Sequence, residues 1–180
     1  MSLLEKKKFY FIGIGGIGMS GIAEILHEMK FKVSGSDISR NSNTIRLKKI
    51  GININIGHDS NDITNFDLVV ISSAIKKNNL ELLKAIEQKI PVLPRAKMLA
   101  EILRLKSSVT IAGSHGKTTT TSLLSCILEQ AELDPTVLNS GIINKYKTNP
   151  KLGKRNWIIA EADETDGSFT YLPSTIRLRN

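Results

Sequence analysis

Apolar positions along the first hundred residues follow two alternating rhythms. Short unbroken runs, "KFYFIGI", "FKVSGSD", "ININ", "FDLVVISSAI" and "IPVLP", are rich in β-branched or aromatic side chains and are bounded by turn formers, so they read as strands. Between them lie segments with helical spacing. "GMSGIAEILHEMK" places Ile22, Ile25, Leu26 and Met29 on one face, "TIRLKKIG" ends at Gly51, and "NLELLKAIEQK" and "RAKMLAEILRL" follow. Alternation of this kind predicts an open parallel sheet with helices on both faces and right-handed crossovers.

Near Lys106 the rhythm restarts. "SVTIAG" reads as a strand, "GKTTTTSLLSCILEQA" as a helix opening at its glycine, "PTVLNSG" as a strand and turn, and "WIIAEAD" as a buried strand running into acids. Residues 142–156 are polar and read as a loop. The expected fold class is therefore α/β: a Rossmann-like parallel-sheet domain over residues 1–106, then the start of a P-loop α/β domain over residues 107–180. Two or three strands and one good helix are too few to close the second layer, and the segment from Ser107 onward is expected to be the less stable part.

Composition narrows the class. Of 180 residues 41% are hydrophobic and 23% charged, ordinary for a globular chain. The net charge of +8 favours anionic partners. Its lysines are scattered, and only 5% of residues are aromatic, so stacking platforms for single strands are scarce and nucleic acid is not the expected partner. The single cysteine, Cys126, excludes a disulfide framework and fits a reducing compartment, and its helical setting reads as a small buried apolar residue. The basic, then apolar N-terminus imitates a signal peptide, but its glycines and then Glu24 and Glu28 interrupt the run before it could span a bilayer. A cytoplasmic protein without membrane contact is expected. No signal sets an oligomeric state.

Two stretches can grip phosphate. In "FIGIGGIGMSGIAEIL", Gly13, Gly15 and Gly18 fit G-x-G-x-x-G, with Gly16 in addition, between a predicted strand and a predicted helix. Glycines let the backbone approach a diphosphate, and the helix N-terminus supplies N–H groups and partial positive charge. Asp37 closes the next strand, where a ribose hydroxyl is read in such folds. From this loop alone NAD is the first candidate, with a glycine-rich packing turn as the structural alternative.

The second stretch is "TIAGSHGKTTTTSLL". Gly113, Gly116, Lys117 and Thr118 resemble a Walker A loop in which Ile111 replaces the usual first glycine. Backbone amides around Ser114, His115 and Thr119 can wrap a triphosphate, Lys117 can reach its outer phosphates, and the Thr118 hydroxyl can ligate magnesium. Such a loop needs a further acid for the metal, and Glu161, leaving an apolar strand, is the candidate. Asp163, Glu164 and Asp166 read as a solvated acidic loop. Of the histidines, His27 reads as a helix residue and His115 as a backbone contributor, while His58 could face a ligand at the carboxyl edge of the sheet. No histidine spacing suits zinc.

Taken in order, "FIGIGGIGMSGIAEIL", "GSD", "VVISSAI", "PVLPRAKMLAEILR", "AGSHGKTTTTSLL", "LDPTVLNSGII" and "IIAEADETDGSF" closely resemble the Mur ligase family, and within it the enzymes that add the first amino acid. The resemblance runs from about Phe9 to Ile176. It implies a three-domain ATP-dependent ligase of peptidoglycan biosynthesis that joins L-alanine to UDP-N-acetylmuramate through an acyl phosphate. The Rossmann-like domain then takes the UDP of the substrate rather than NAD, the central domain takes ATP and Mg2+, and a third domain helps bind ATP and the amino acid. By the same resemblance Gly15, Gly16, Ile17, Gly18 and Met19 line the diphosphate. Asp37, Ile38 and His58 lie near ribose and uracil, and Ser72 and Ser73 face that cleft. Lys117 and Thr118 take phosphates and magnesium, and Asn139 and Glu161 approach the metal and the reacting carboxylate.

The chain departs from that pattern in places. Ser114 stands where threonine is common, Ser140 and Gly141 where two glycines follow the asparagine, and Lys97 where an acid is usual. After "LPSTI" the family continues into a strand and an acid–histidine segment, whereas this sequence reads "RLRN". The expectation drawn is an N-terminal piece of the ligase, inactive alone. Two other readings follow from single features: an NAD(P)-dependent oxidoreductase using only the first loop, and a non-catalytic nucleotide-binding module.

Overall fold

A computed structural model describes residues 6–57, 63–138, 150–162, 173 and 176–179. The chain divides into two compact units, residues 1–98 and 99–180.

The first unit contains β1 (Lys8–Ile12), α1 (Ile17–Glu28), β2 (Lys32–Asp37), α2 (Ser42–Lys49), β3 (Asn53–Ile56), β4 (Leu68–Ile71), α3 (Leu80–Glu87), β5 (Val92–Pro94) and the start of α4 (Arg95–Arg104). Its five strands pair in parallel in the order β3-β2-β1-β4-β5. Chain order therefore reverses between β1 and β4, and a crevice opens at their carboxyl ends, the place where open α/β sheets bind ligands. Strands buried on both faces read as continuous apolar runs, which is why Phe9 to Ile12 is sealed throughout. Alternation sends Tyr10 and Ile12 to the face covered by Leu82 and Ala85 of α3, with Val69 beside them. Phe9 meets Phe31 edge-on at 5.3 Å. Each such buried side chain stabilises the unit by about 1.5–3 kcal/mol.

Two sequence boundaries shift. α2 starts at Ser42, two residues before the apolar spacing begins, because Asn41 caps it: its side chain accepts the Thr44 N–H and the Thr44 hydroxyl accepts the Asn41 N–H. β4 stops at Ile71, and residues 72–75 form a turn closed by the Ile75 N–H donating to the Ser72 carbonyl.

The second unit holds the rest of α4, β6 (Ser107–Ala112), α5 (Lys117–Gln130), β7 (Thr136–Leu138), β8 (Trp157–Glu161) and β9 (Ile176–Arg179). The strands form a four-stranded parallel sheet in the order β7-β8-β6-β9. Here the sequence reading needs correction: "IRLR" is a strand, in register with Val109 to Ala112. By sequence "RLRN" stands against the strand with which the family continues, because pairing on a sheet edge is a tertiary event that the local residues do not announce. Leu124 and Leu128 of α5 pack on Ile111, Val137 and Ile159. Cys126 is half-buried rather than buried.

The turn after α5 is pinned to the approach to β8 by charge. Lys151 Nζ contacts Asp134 Oδ1 and Glu129 Oε1, each at 2.7 Å, while Asp134 Oδ2 accepts the Lys154 N–H. The hydrogen bond from Lys151, then that from the Lys154 amide, holds the Asp134 carboxyl below the usual carboxylate range. A depressed folded-state pKa stabilises above the unfolded value and is lost as pH falls through the folded one. Asp134→Asn should therefore lower stability near neutrality, by under about 1 kcal/mol because the pair is partly screened by solvent, and the melting temperature with it. The gap to the parent should narrow as pH falls below the ordinary carboxylate range and Asp134 takes up its proton, as thermal melts on acidification would show.

Candidate functional site

Two loops at the carboxyl edges of the two sheets hold most of the candidate residues. The first leaves β1. Its amides at Gly13 and Ile14 both donate to the Ser36 carbonyl at 2.9 Å, and the Gly15 N–H donates to Asp37 Oδ2 at 2.7 Å. Asn43 Nδ2 donates to the Gly15 carbonyl at 2.8 Å, with Asn41 Nδ2 at 3.4 Å. Three successive residues of the loop are thus hung on β2 and on the start of α2.

The fourth, Gly16, is the N-cap of α1 and brings no side-chain cap; no acid stands in the first turn. First-turn amides have no intrahelical carbonyl to bond, so this helix end is arranged to meet an anion. A cleft of about 500 Å³ opens over it, lined by Gly13, Gly15, Gly16, Asp37, Ile38, Asn41, Ser72, Ala74, Ile75, Lys76, Asn78 and Asn79. That volume suits a nucleotide-sized ligand.

Of the residues assigned from sequence to this site, Gly13, Gly15, Gly16, Asp37, Ile38 and Ser72 share the cleft wall. Ile17, Gly18, Met19 and Ser73 are outside that lining. Met19 is 1% exposed, so its side chain belongs to the core and only its backbone can serve a ligand. Gly18 lies under Arg95, whose Nη1 would be 2.7 Å from an added Cβ. Asp37 is 8% exposed and already occupied by the loop, so it fixes loop shape as well as facing the cleft. His58 lies outside the described residues. Sequence reasoning missed Asn41, Asn43, Lys76, Asn78 and Asn79. "RNSNT", an Asn three residues before a hydroxyl at a helix start, was the available signal for Asn41.

The second loop leaves β6. Gly116 caps α5 at φ 74°, a left-handed conformation that disfavours any side chain, and turns the chain so that α5 begins at Lys117. Lys117 Nζ donates to the Gly113 carbonyl at 2.6 Å, which places the amine over the loop. Ser114, His115, Gly116, Lys117, Thr118 and Thr119 line a concavity of about 220 Å³. His115 is exposed, its Nδ1 3.2 Å from the Ser114 hydroxyl, so its backbone position rather than its ring belongs to the cradle.

Glu161 ends β8 directly beside Ile111 of β6, and the Ala162 N–H donates to the Ile111 carbonyl at 2.9 Å. The acid is 8% exposed, on the edge from which the loop departs. A buried carboxylate at a phosphate loop and the hydroxyl of Thr118 are hard oxygen donors of the kind magnesium uses alongside nucleotide phosphates. The residues present therefore fit that ion. Asn139 and the acids Asp163, Glu164 and Asp166 lie outside the described residues. Among the described residues no helix is long and apolar enough to cross a membrane.

Comparison with known proteins follows the same lines. The family model "Mur ligase family, catalytic domain" matches residues 8–107. UDP-N-acetylmuramate–L-alanine ligases from Rickettsia bellii and Rickettsia felis are each 57% identical over 185 residues, covering 99% of this chain and 39% of theirs. Among solved structures, the UDP-N-acetylmuramate-alanine ligase of Thermotoga maritima superposes with a TM-score of 0.86 at 30% identity, covering 96% of this chain and 40% of that one. The UDP-N-acetylmuramate:L-alanyl-gamma-D-glutamyl-meso-diaminopimelate ligase of Neisseria meningitides gives 0.85 at 28% identity, covering 96% and 59%. The chain thus spans about 39% of the length of the Rickettsia relatives.

Proposed function

The chain belongs to the Mur ligase family, and from that premise we propose that it serves the ATP-dependent joining of L-alanine to UDP-N-acetylmuramate in peptidoglycan biosynthesis. Residues 1–106 form the UDP-sugar domain in this reading, and residues 107–180 belong to the ATP domain. The observation that carries it is the pairing of two differently built anion cradles, one per sheet, within a chain 57% identical to ligases so named. A nicotinamide enzyme has no use for the second cradle.

In this reading the diphosphate of the sugar nucleotide lies over Gly15 and Gly16 at the α1 terminus. Ile38 is 76% exposed at the cleft and offers an apolar shelf to the base, and Asp37 holds the loop that grips the phosphates. ATP lies on residues 113–119. The muramoyl carboxylate attacks the γ-phosphorus and ADP departs. The alanine amine then attacks the acyl carbon, and inorganic phosphate leaves as the amide forms.

Lys117 offsets charge on the outer phosphates and orients the γ-phosphoryl group. Thr118 and Glu161 would hold Mg2+, which supplies further charge neutralisation at the phosphates. Asn139 is assigned to the same neighbourhood by resemblance alone. The setting is the cytoplasm, where both nucleotides are found.

Calorimetric titration of this chain tests the reading. UDP-N-acetylmuramate and MgATP should each bind at one site without competing, and NADH should not displace the sugar nucleotide. Binding of NADH with no response to UDP would overturn it.

A further inference from the structure

A carboxyl group with no place in the proposed chemistry is sealed inside the first unit. Glu81 stands in the first turn of α3 and is 0% exposed. The Tyr10 hydroxyl of β1 donates to its Oε1 at 2.6 Å, and the Ser36 hydroxyl of β2 donates to its Oε2 at 2.5 Å. Burial, then the bond to and the charge of Glu81, push the Tyr10 phenol far above its ordinary range, so it remains a donor. A carboxyl taken out of water is costly unless its oxygens are engaged, and apolar side chains fill such a position more cheaply. Its presence calls for a reason in what it holds.

What it holds is Ser36. The carbonyl of that same residue receives the Gly13 and Ile14 amides, both at 2.9 Å. The next residue, Asp37, receives the Gly15 amide. Asn79, the N-cap of the helix that carries Glu81, lines the same cleft. A continuous set of bonds therefore runs from α3 through one serine to the backbone of the glycine loop. The Tyr10 phenol bonds the same carboxyl and also meets the side chains of Ser36 and Asn55, so it supports the cluster, whereas the loop amides are received by the Ser36 carbonyl.

We propose that Glu81, acting through Ser36, is a positioning residue for the first glycine loop, fixing the amides that shape its anion cradle. The proposal rests on the reading of that cleft as the sugar-nucleotide site. Ser36 is the coupling point and Tyr10 is not. The two hydroxyl deletions therefore have different consequences, although each removes one bond to the same carboxyl.

The test uses the whole chain with four substitutions, Tyr10→Phe, Ser36→Ala, Glu81→Ala and Glu81→Gln, and two readouts. One is the affinity for UDP-N-acetylmuramate by calorimetry. The other is amide hydrogen exchange at Gly13 and Ile14 without ligand, which needs no assumption about what binds. Ser36→Ala is expected to weaken binding about five- to tenfold and to speed exchange at those two amides by a similar factor. Tyr10→Phe is expected to lower the melting temperature but leave both readouts within about twofold of the parent. Glu81→Ala should behave like Ser36→Ala. Glu81→Gln, which can bond both hydroxyls if the serine turns to accept, should recover most of the loss.

Equal exchange in Ser36→Ala and the parent overturns the positioning role. So does a loss that merely follows melting temperature across all four variants. If the parent shows no affinity for the sugar nucleotide while the exchange pattern appears as described, the ligand reading falls and the positioning role stands.

Discussion

Replacing Lys117 with alanine is expected to cost this chain about 1.5–3 kcal/mol of MgATP binding, or about ten- to 150-fold in Kd. The lysine is the first residue of α5 and its Nζ is held at 2.6 Å from the Gly113 carbonyl, so the charge already stands over the cradle. Removing it deletes a charge-assisted hydrogen bond to phosphate and leaves only backbone dipoles there. Lys117→Arg should recover little, because a planar fork on a longer stem does not occupy the place of a compact ammonium. The melting temperature should change little, since the bond to Gly113 is partly exposed to solvent. Titrations with MgATP and with UDP-N-acetylmuramate separate the cases: the first should weaken and the second should not. Unchanged ATP affinity would remove Lys117 from the nucleotide site.

The second large effect belongs to Gly15→Ala. An added methyl would lie 2.6 Å from Asn41 Nδ2, 2.8 Å from Asp37 Oδ2 and 2.8 Å from Thr44 Cγ2. None of the three can swing away freely. Asp37 is held by the Gly15 and Ser39 amides, and Asn41 and Thr44 are locked in the reciprocal cap of α2. Overpacking against anchored atoms costs about 1–3 kcal/mol, and here the strain falls on the loop that lines the cleft. Affinity for the sugar nucleotide should drop about five- to 150-fold, with a lower melting temperature. Asp37→Asn keeps the shape and weakens one bond, so it should fall between the parent and Gly15→Ala. Calorimetry and thermal melts on the three proteins check the order; a Gly15→Ala protein that binds like the parent would show that the loop is not clamped.

Much of the candidate site was legible because it is built from local patterns. Glycines at fixed spacing, a lysine after a glycine and an acid at the end of an apolar strand are local patterns, and the glycines also mark backbone conformations that side chains disfavour. The placement of Asp37 was legible for the same reason, since it ends a strand. Its partner was not. That Asp37 binds the Gly15 amide depends on β1 and β2 lying in register, Ile12 opposite Ser36. Asn43, Lys76 and Asn78 were invisible for the same cause: nothing in a polar turn says which cleft it will border. The strand "IRLR" was missed because an alternating basic run acquires its conformation only by pairing with β6.

The sequence by itself determined the alternation of elements, the two cradles and their order along the chain, because hydrophobic periodicity and glycine spacing are local properties. Only the tertiary structure decided that the strand order reverses between β1 and β4, that Ser36 carries two loop amides, and that a buried carboxyl on α3 reaches that serine. Those are contacts between residues far apart in the chain, and they are set by packing and by the need of every buried polar group for a partner, not by any nearest-neighbour preference.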